Sequence, residues 1–362
     1  MQRVSGFDQQ THTPDHAPAE NGVLCVLLNY RTAAMTLRAA DSASSALEGL
    51  SGHIVIVDND SQDGSFEQMQ QHVADAEWSD VTVIQSGHNG GFGAGNNFGI
   101  RAGLALPIFA QTPPEFIYIL NSDAFPETEA IHALISHMTA HPDVGFAGSL
   151  IYGEDGLRHL TTFRFPSLAS EFEGAVRLGP VSRALANTRV PMDMPDNLTE
   201  ARDVDWLAGA SLMMRRSMLD QIGVFDERYF LYFEETDLSL RGQRAGYRIA
   251  YVPTSRVMHI GSVSTGMGKW QRTPRYWFRS RWYYFVKNHG RIAALGATLV
   301  HLMGGIIHRL RSILQNKSSA DPHRFLFDLA SHDAIAALRP TPAPQIATIF
   351  PATNQPNTRS KD

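Results

Sequence analysis

VIVDNDSQDGS, residues Val55–Ser65, is the stretch on which the fold turns. The apolar pattern His53–Val57 reads as a buried strand, and the polar DNDSQDGS at Asp58–Ser65 breaks it sharply. Upstream, Val23–Leu28 repeats the pattern, followed by polar Asn29-Tyr30-Arg31-Thr32 and a helix-like stretch Ala33–Leu50. Downstream, Val81–Gln85 is a third strand, leading into the Gly-rich segment Gly87–Gly99 and a helix near Asn96–Leu106. Phe116–Leu120 is a fourth, ending at Asn121-Ser122-Asp123. Strands alternating with helices predict an α/β fold with a mostly parallel central sheet and right-handed crossovers. Ligands of such sheets gather beyond the carboxyl ends of the strands. Asn29–Thr32, Asp58–Ser61 and Asn121–Asp123 all fall there, which predicts one site drawn from separate stretches of chain.

With 362 residues, 43% hydrophobic and 19% charged, the chain has the composition of a globular protein with ample core. Its single cysteine, Cys25, sits in the first apolar run, which excludes a disulfide framework and fits a reducing compartment. Residues 1–20 are polar and hold no apolar segment, so a disordered cytoplasmic leader is expected there. The net charge of −5 conceals an asymmetry: Leu238–Ala320 carries 14 Lys and Arg and no Asp or Glu. Such a segment suits an anionic partner, whether phosphate, nucleic acid or a membrane surface; a solvated basic face is the plainer alternative.

FDERYFLYFEETDLSLR, Phe225–Arg241, sets Glu234, Glu235 and Asp237 directly after the apolar run Tyr229–Phe233. Carboxylates beside such a run are costly to bury unless a cation or a proton-transfer task compensates them. They equally suit the first turn of a helix, where acids complement the dipole. NGGFGAGNN, Asn89–Asn97, does not satisfy G-x-G-x-x-G; its glycines serve close packing, a flexible loop, or backbone N–H groups that cradle an anion. Asp123 at a strand end is either a turn residue or a ligand for Mg²⁺ or Mn²⁺. Asp58 is either a turn former or a partner for a ribose or base. His259 lies among apolar residues, where histidine is commonly structural. Gly261 and Gly266 flank a Ser-rich loop suited to closing over a phosphate.

In order along residues 22–290 these pieces resemble the family 2 glycosyltransferases of the GT-A fold, in particular the rhamnosyltransferase-like branch. VLLNYRT at Val26–Thr32 is similar to the family's first strand and Asn-Tyr turn, and VIVDNDSQDGS to its V-V-D-N-x-S-x-D-G-S signature. NGGFGAGNNFGI at Asn89–Ile100 resembles N-x-G-F-(A/G)-x-G-N-N-x-G, and LNSDA at Leu120–Ala124 stands where the family has L-N-P-D. The block Val204–Pro253, from VDWLAGASLMMRR to GYRIAYVP, resembles its acceptor side throughout. The resemblance implies that Asp58 and Asn59 contact the base and ribose, with Asn29, Asn89, Gly91, Asn96, Asn121 and Ser122 completing the nucleotide-sugar side. It implies that Asp123, with His259 as second ligand, holds the divalent cation, Mg or Mn. It places the catalytic base at Glu235, in the position of the family's F-E-D-x-D-L, and Trp206, Asp226 and Glu234 on the acceptor side or behind it. Arg228 or Arg241 would balance the carboxylates. Glu235 departs from the family's Asp by one methylene, and Ser122 replaces its proline.

The implied reaction is transfer of a sugar, L-rhamnose from dTDP-rhamnose as a first choice, with inversion. The acceptor is a hydroxyl of a glycan or lipid-linked acceptor in cell-surface polysaccharide synthesis. A catalytically silent sugar-nucleotide-binding scaffold and a nucleic-acid-binding protein are the competing classes. KWQRTPRYWFRSRWYYFVK at Lys269–Lys287 bears on the latter, since interleaved basic and aromatic residues suit nucleic acid, a lipid headgroup layer, or a helix packed on the domain. Ile292–His308 has no Lys, Arg, Asp or Glu, is short for a span, and is flanked by Arg291, Arg309, Arg311 and Lys317. An interfacial helix is expected. Together with the resemblance, this favours a membrane-surface partner and no nucleic acid, on a protein peripheral to the inner face of the cell membrane. The expected divisions are a GT-A domain at 21–268, a basic helical membrane-associating region at 269–338 and a disordered tail at 339–362.

Overall fold

The computed structural model describes residues 22–261, 270–317 and 321–349. The expected leader, the loop around Gly266 and the end of the expected tail lie outside them. Four strands, β1 (Val23–Asn29), β2 (Gly52–Asp58), β3 (Val81–Gln85) and β4 (Phe116–Asn121), are the apolar runs read from sequence. They are followed by β5 (Ala124–Pro126), β6 (Val144–Tyr152), β7 (Thr162–Phe163), β8 (Arg202–Asp203), β9 (Trp206–Leu207), β10 (Ser211–Arg215) and β11 (Arg248–His259). The main sheet runs β3-β2-β1-β4-β10-β6-β11-β5, with β8 also pairing β11, while β7 and β9 form a separate small ribbon. β1 to β4 are mutually parallel; β10 runs against β4 and β6, and β6 and β11 again run parallel to each other. The sheet is therefore mixed but mostly parallel, in a GT-A-like α/β architecture.

Alternate residues of β1 point into different cores. Val23, Cys25 and Leu27 pack with the helices Ala33–Ala46 and Ala130–Ala140, whereas Leu24 and Val26 pack with Ile100 and Leu104 of the helix Phe92–Leu104. Burial on both faces is why these strands read as continuous apolar runs rather than as alternating ones. The glycines of the Gly-rich segment set the spacing: a Cβ on Gly99 or Gly103 would come within 2.5 Å of Val26 or Leu24. Close helix-on-sheet packing is thus their structural task.

The last strand, β11, begins at Arg248 and runs through Pro253 to His259. Its register against β6 shifts between Val252 and Arg256, so the irregularity absorbs Pro253 without ending the strand. The apolar stretch Val204–Met214 forms two separate strands, β9 and β10.

Two helices close the chain against this domain. Arg275–Leu314 breaks at Gly290 (φ 87°), and Phe325–Ala337 packs beside it. Tyr283, Tyr284, Phe285 and Trp282 are buried with Tyr229 and Leu240, so the basic-aromatic segment is here a helix packed on the domain. Residues 340–349, in the stretch expected to be a disordered tail, lie along the domain. Val224 N–H donates to Ala347 O at 3.1 Å, Glu227 N–H donates to Gln345 O at 3.0 Å, and Ile349 is buried in the core. The apolar residues Ile346, Ala347 and Ile349 provide that anchorage within an otherwise Pro- and Thr-rich sequence.

Candidate active site

The carboxyl ends of β1, β2 and β4 lie side by side, with Asn29 level with Asp58 and Leu28 level with Asn121. Asn29 is fully buried. Its Nδ2 donates to Asp58 Oδ1 (2.8 Å) and Ser61 Oγ (3.2 Å), and its Oδ1 accepts from Thr36 Oγ1 (2.8 Å) and Thr32 N–H (3.2 Å). Ser61 Oγ donates to Asp58 Oδ1 at 2.5 Å, and Ser61 N–H donates to Asp58 Oδ2 at 3.2 Å. A buried carboxylate so supplied with donors is held in one orientation. Asn59, next along, donates to Asn89 Oδ1 (3.1 Å) and accepts from Ser86 Oγ (3.2 Å). Asn89 Oδ1 in turn accepts from Gly91 N–H at 3.0 Å. Asn96 donates to Phe92 O, while its buried Oδ1 has no hydrogen-bond partner among the described residues.

Beyond β4, Asp123 Oδ1 stands 3.0 Å from His259 Nε2, and Asn121 Nδ2 stands 3.4 Å from the same nitrogen. His259 arrives there because β11 pairs with β5, setting it level with Ala124, and Ile260 N–H donates to Asp123 O. Two ligands placed cis at about 2.1 Å from an octahedral cation are about 3.0 Å apart, so this carboxylate–imidazole pair fits Mg²⁺ or Mn²⁺. Among the described residues no third His, Cys, Asp or Glu completes a cluster. Ser122, mostly buried, accepts from Thr32 Oγ1 at 3.3 Å, which steadies the turn where the family has proline.

Glu234 and Glu235 open the helix Glu234–Arg244. The turn before them is strained: Tyr232 (φ 68°) and Phe233 (φ 70°) both adopt left-handed backbone without being glycine. Each such residue costs about 1–3 kcal/mol and persists only when its surroundings impose it. The surroundings are two clamps. Phe92 N–H donates to Phe230 O at 3.0 Å, and Ser280 Oγ donates to Leu231 O at 3.0 Å. The first needs Gly91 (φ 92°), since a Cβ there would lie 1.9 Å from Phe230 O.

The turn delivers a carboxylate pair to which, among the described residues, no cation is paired. Burial pushes the Glu235 carboxyl above its ordinary range, against a hydrogen bond from Gly209 N–H. Burial, then the charge of Glu235, pushes Glu234 well above it. One oxygen of each, Oε2, is buried with no hydrogen-bond partner among the described residues. The two halves of the site share a floor: Gly209 holds Glu235, and the next residue, Ala210, accepts from Asn121 N–H at 3.0 Å. Trp206 fixes that floor, with its ring stacked on Phe163 at 4.2 Å and its Nε1–H donating to Arg164 O at 3.0 Å.

The family description Glycosyl transferase family 2 matches residues 25–223. The chain belongs to glycosyl transferase family 2. Over 216 residues it is 32% identical to N-acetylglucosaminyl-diphospho-decaprenol L-rhamnosyltransferase of Mycobacterium tuberculosis, covering 59% of this chain and 68% of that protein. Over 210 residues it is 26% identical to the rhamnosyltransferase WbbL of Escherichia coli, covering 57% of this chain and 73% of that one. In fold it is similar to a mannosyltransferase of Pyrobaculum calidifontis, solved in complex with GDP-Man and Mn²⁺ (TM-score 0.52, 14% identity, 90% of this chain and 84% of that one).

In this family 2 glycosyltransferase some expected residues have a different surrounding from the one anticipated. Asp226, expected on the acceptor side or behind it, is fully buried, and its carboxylate accepts from Lys287 Nζ (2.8 Å), Tyr283 Oη (2.8 Å), Gln345 N–H (2.9 Å) and Arg228 N–H (3.1 Å). Burial alone would raise Asp226; Lys287 and these donors outweigh it and hold the carboxyl below its ordinary range. Lys287 also reaches Asp237 Oδ2 at 2.7 Å, which Arg241 joins at 3.1 Å. Arg228 does not balance the cluster with its side chain, which donates to Ala343 O. Sequence reasoning missed Lys287, Ser61 and Gly209. Lys287 offered a signal, as the lysine closing an aromatic run, but nothing in one dimension paired it with Asp226, 61 residues away.

Proposed function

We propose that the protein transfers L-rhamnose from dTDP-L-rhamnose to a hydroxyl of a lipid-diphosphate-linked glycan, with inversion, using a divalent cation. The observation that carries this reading is the buried Glu235 carboxyl, raised in pKa and tied through Gly209 and Ala210 to the strand end bearing Asp123 and His259.

Asp58, fixed by Asn29 and Ser61, takes the base or ribose of the donor together with Asn59; Asn29 acts by orienting Asp58. Asn89, Gly91, Asn96, Asn121 and Ser122 line the donor side around it. Asp123 and His259 hold the cation, which when bound neutralises charge developing on the diphosphate leaving group. Glu235 accepts the proton of the acceptor hydroxyl while that oxygen bonds the anomeric carbon and the bond from that carbon to the diphosphate oxygen breaks. A base with a raised pKa is well matched to this work near neutral pH. One base, with no nucleophile paired to it among the described residues, favours a single displacement. Glu234 lies beside Glu235, whose charge keeps it protonated, and Trp206 holds the Gly209 floor. The basic C-terminal region would keep the enzyme on the inner membrane face, where a lipid-linked acceptor is presented.

A thermal-shift series with nucleotide diphospho-sugars and Mn²⁺ tests the donor, because a ligand of the native state raises Tm. dTDP-rhamnose should stabilise the protein in the presence of Mn²⁺, and Asp123→Asn should lose the Mn²⁺-dependent part. Absence of any shift with every nucleotide sugar, or an unaltered Mn²⁺ response in Asp123→Asn, would sink the assignment.

A further inference from the structure

The long C-terminal helix carries an apolar face that the catalytic site does not use. Arg275–Leu314 is, among the described residues, the helix long and apolar enough to cross a membrane, but it breaks at Gly290. Beyond the break Ile292, Leu299, Met303, Ile306, Leu310 and Ile313 are each more than half exposed. At about 100° per residue they fall within roughly a quarter of the helix circumference. Ala294, Ala297, Gly304, Gly305 and His308, on the opposite side, are buried.

The buried side fixes how the helix can meet a bilayer. Gly304 packs so closely on the helix Leu168–Val176 that a Cβ would lie 2.9 Å from Phe172 O, and Gly305 meets Leu326 in the same way. Beside them is a polar knot: Arg281 pairs with Glu171 (2.8 Å) and Asp333 (3.2 Å), and His301 Nδ1 is 2.7 Å from Glu171. Passage through hydrocarbon would strip this side from its partners, and the ion pairs make that costly. Lying in the plane keeps the knot inside the protein and turns the apolar stripe outward.

Charge selects the occupant. By the same helical spacing Arg291 and Arg309 fall along one border of the stripe and Arg311 along the other. No acid occurs between Leu238 and Ala320 to offset them. The acids that follow are taken: Asp321 pairs with Arg177, and Asp328 with Arg272, at 2.6 and 2.7 Å respectively, while Asp333 is in the knot. A second copy of the chain would set like-charged borders against each other, whereas anionic headgroups complement them. We infer that the exposed face of Ile292–Leu314 is an in-plane membrane-binding face for anionic lipid. It specifies how the enzyme meets its lipid-linked acceptor, and in that respect rests on the proposed function.

Flotation of the full chain with phosphatidylcholine vesicles, with and without phosphatidylglycerol, tests it. The protein should float only with the anionic vesicles and be released by alkaline carbonate. The double variant Leu299→Glu/Ile306→Glu should lose vesicle partition about tenfold or more, since two charges enter the apolar stripe, with Tm and nucleotide-sugar binding unchanged. Unaltered flotation of the double variant would overturn the inference, as would carbonate-resistant wild-type protein, which would mean a span. A dimer dissolved by the double variant with no change in flotation would make the face a subunit interface. Failure of the donor reading is read separately: nucleotide sugars would then leave Tm unmoved while flotation persisted.

Discussion

Two pairs of carboxylates occupy the single stretch Phe225–Arg241, and their surroundings are opposite. Asp226 and Asp237 share the Lys287 ammonium at 2.8 and 2.7 Å, and tyrosine, amide and guanidinium donors fill the rest of their valence. Among the described residues Glu234, buried beside them, and Glu235, half-buried with its Oε2 shielded, have no paired cation, and each keeps an oxygen without a hydrogen-bond partner. Burial is common to both pairs; compensation is not. A compensated buried pair fastens the C-terminal helix and the 340–349 segment to the catalytic domain. An uncompensated one holds protons more tightly than an ordinary carboxylate, which is the property a base near neutral pH needs.

Exchanging Glu235 for Gln strikes the reactive pair where its effect should be largest. Glu235→Gln keeps the shape and removes the base, so kcat should fall by about 10²–10⁴-fold while nucleotide-sugar binding persists. In the wild type the acid limb of the rate profile should lie above the ordinary glutamate range, because activity requires the ionised form and the pKa is raised. Transfer kinetics against pH measure both. Turnover near wild type would move the base elsewhere and remove the distinction between the pairs.

Lys287→Met tests the compensated pair. Two fully buried carboxylates would lose their shared cation, and breaking such an arrangement costs about 3–5 kcal/mol. A large fall in Tm is expected, with residual folded protein retaining nucleotide-sugar binding. Were stability unchanged and kcat lost, Lys287 would belong to the chemistry, and the boundary between the pairs would have to be redrawn.

The difference between the pairs was only partly legible in sequence. The strands β1 to β4 were readable because burial on both faces leaves unbroken apolar runs, and Asn29, Asp58 and Asn121 were readable as their polar ends. Resemblance set Glu235 apart as the base, but the saturation of Asp237 by Lys287, Arg241 and Asn288 could not be read from the sequence. The saturation of Asp226 was not readable, because it depends on Tyr283, Lys287 and Gln345, contacts that span up to 119 residues. The approach of His259 to Asp123 depends on a register shift past Pro253, where a proline ordinarily suggests that a strand has ended.

Glu234→Gln should have the smallest effect and act in the opposite direction on stability. Burial and the neighbouring Glu235 charge raise the Glu234 pKa in the folded state, so the folded protein binds this proton more tightly than the unfolded chain. Its favourable contribution is complete below the unfolded value of about 4.3 and is lost as pH rises through the raised folded value. Glutamine stays neutral and avoids that loss. The variant should therefore match the wild type at acid pH and gain about 1 kcal/mol, or about 2 °C in Tm, at alkaline pH. Because Glu234 is still protonated while Glu235 titrates, the acid limb of the Glu235 rate profile should stay in place. Melting curves and pH–rate profiles on the same protein check both. A variant less stable than the wild type at alkaline pH would mean that Glu234 is compensated like Asp226, and that only Glu235 is set apart for chemistry.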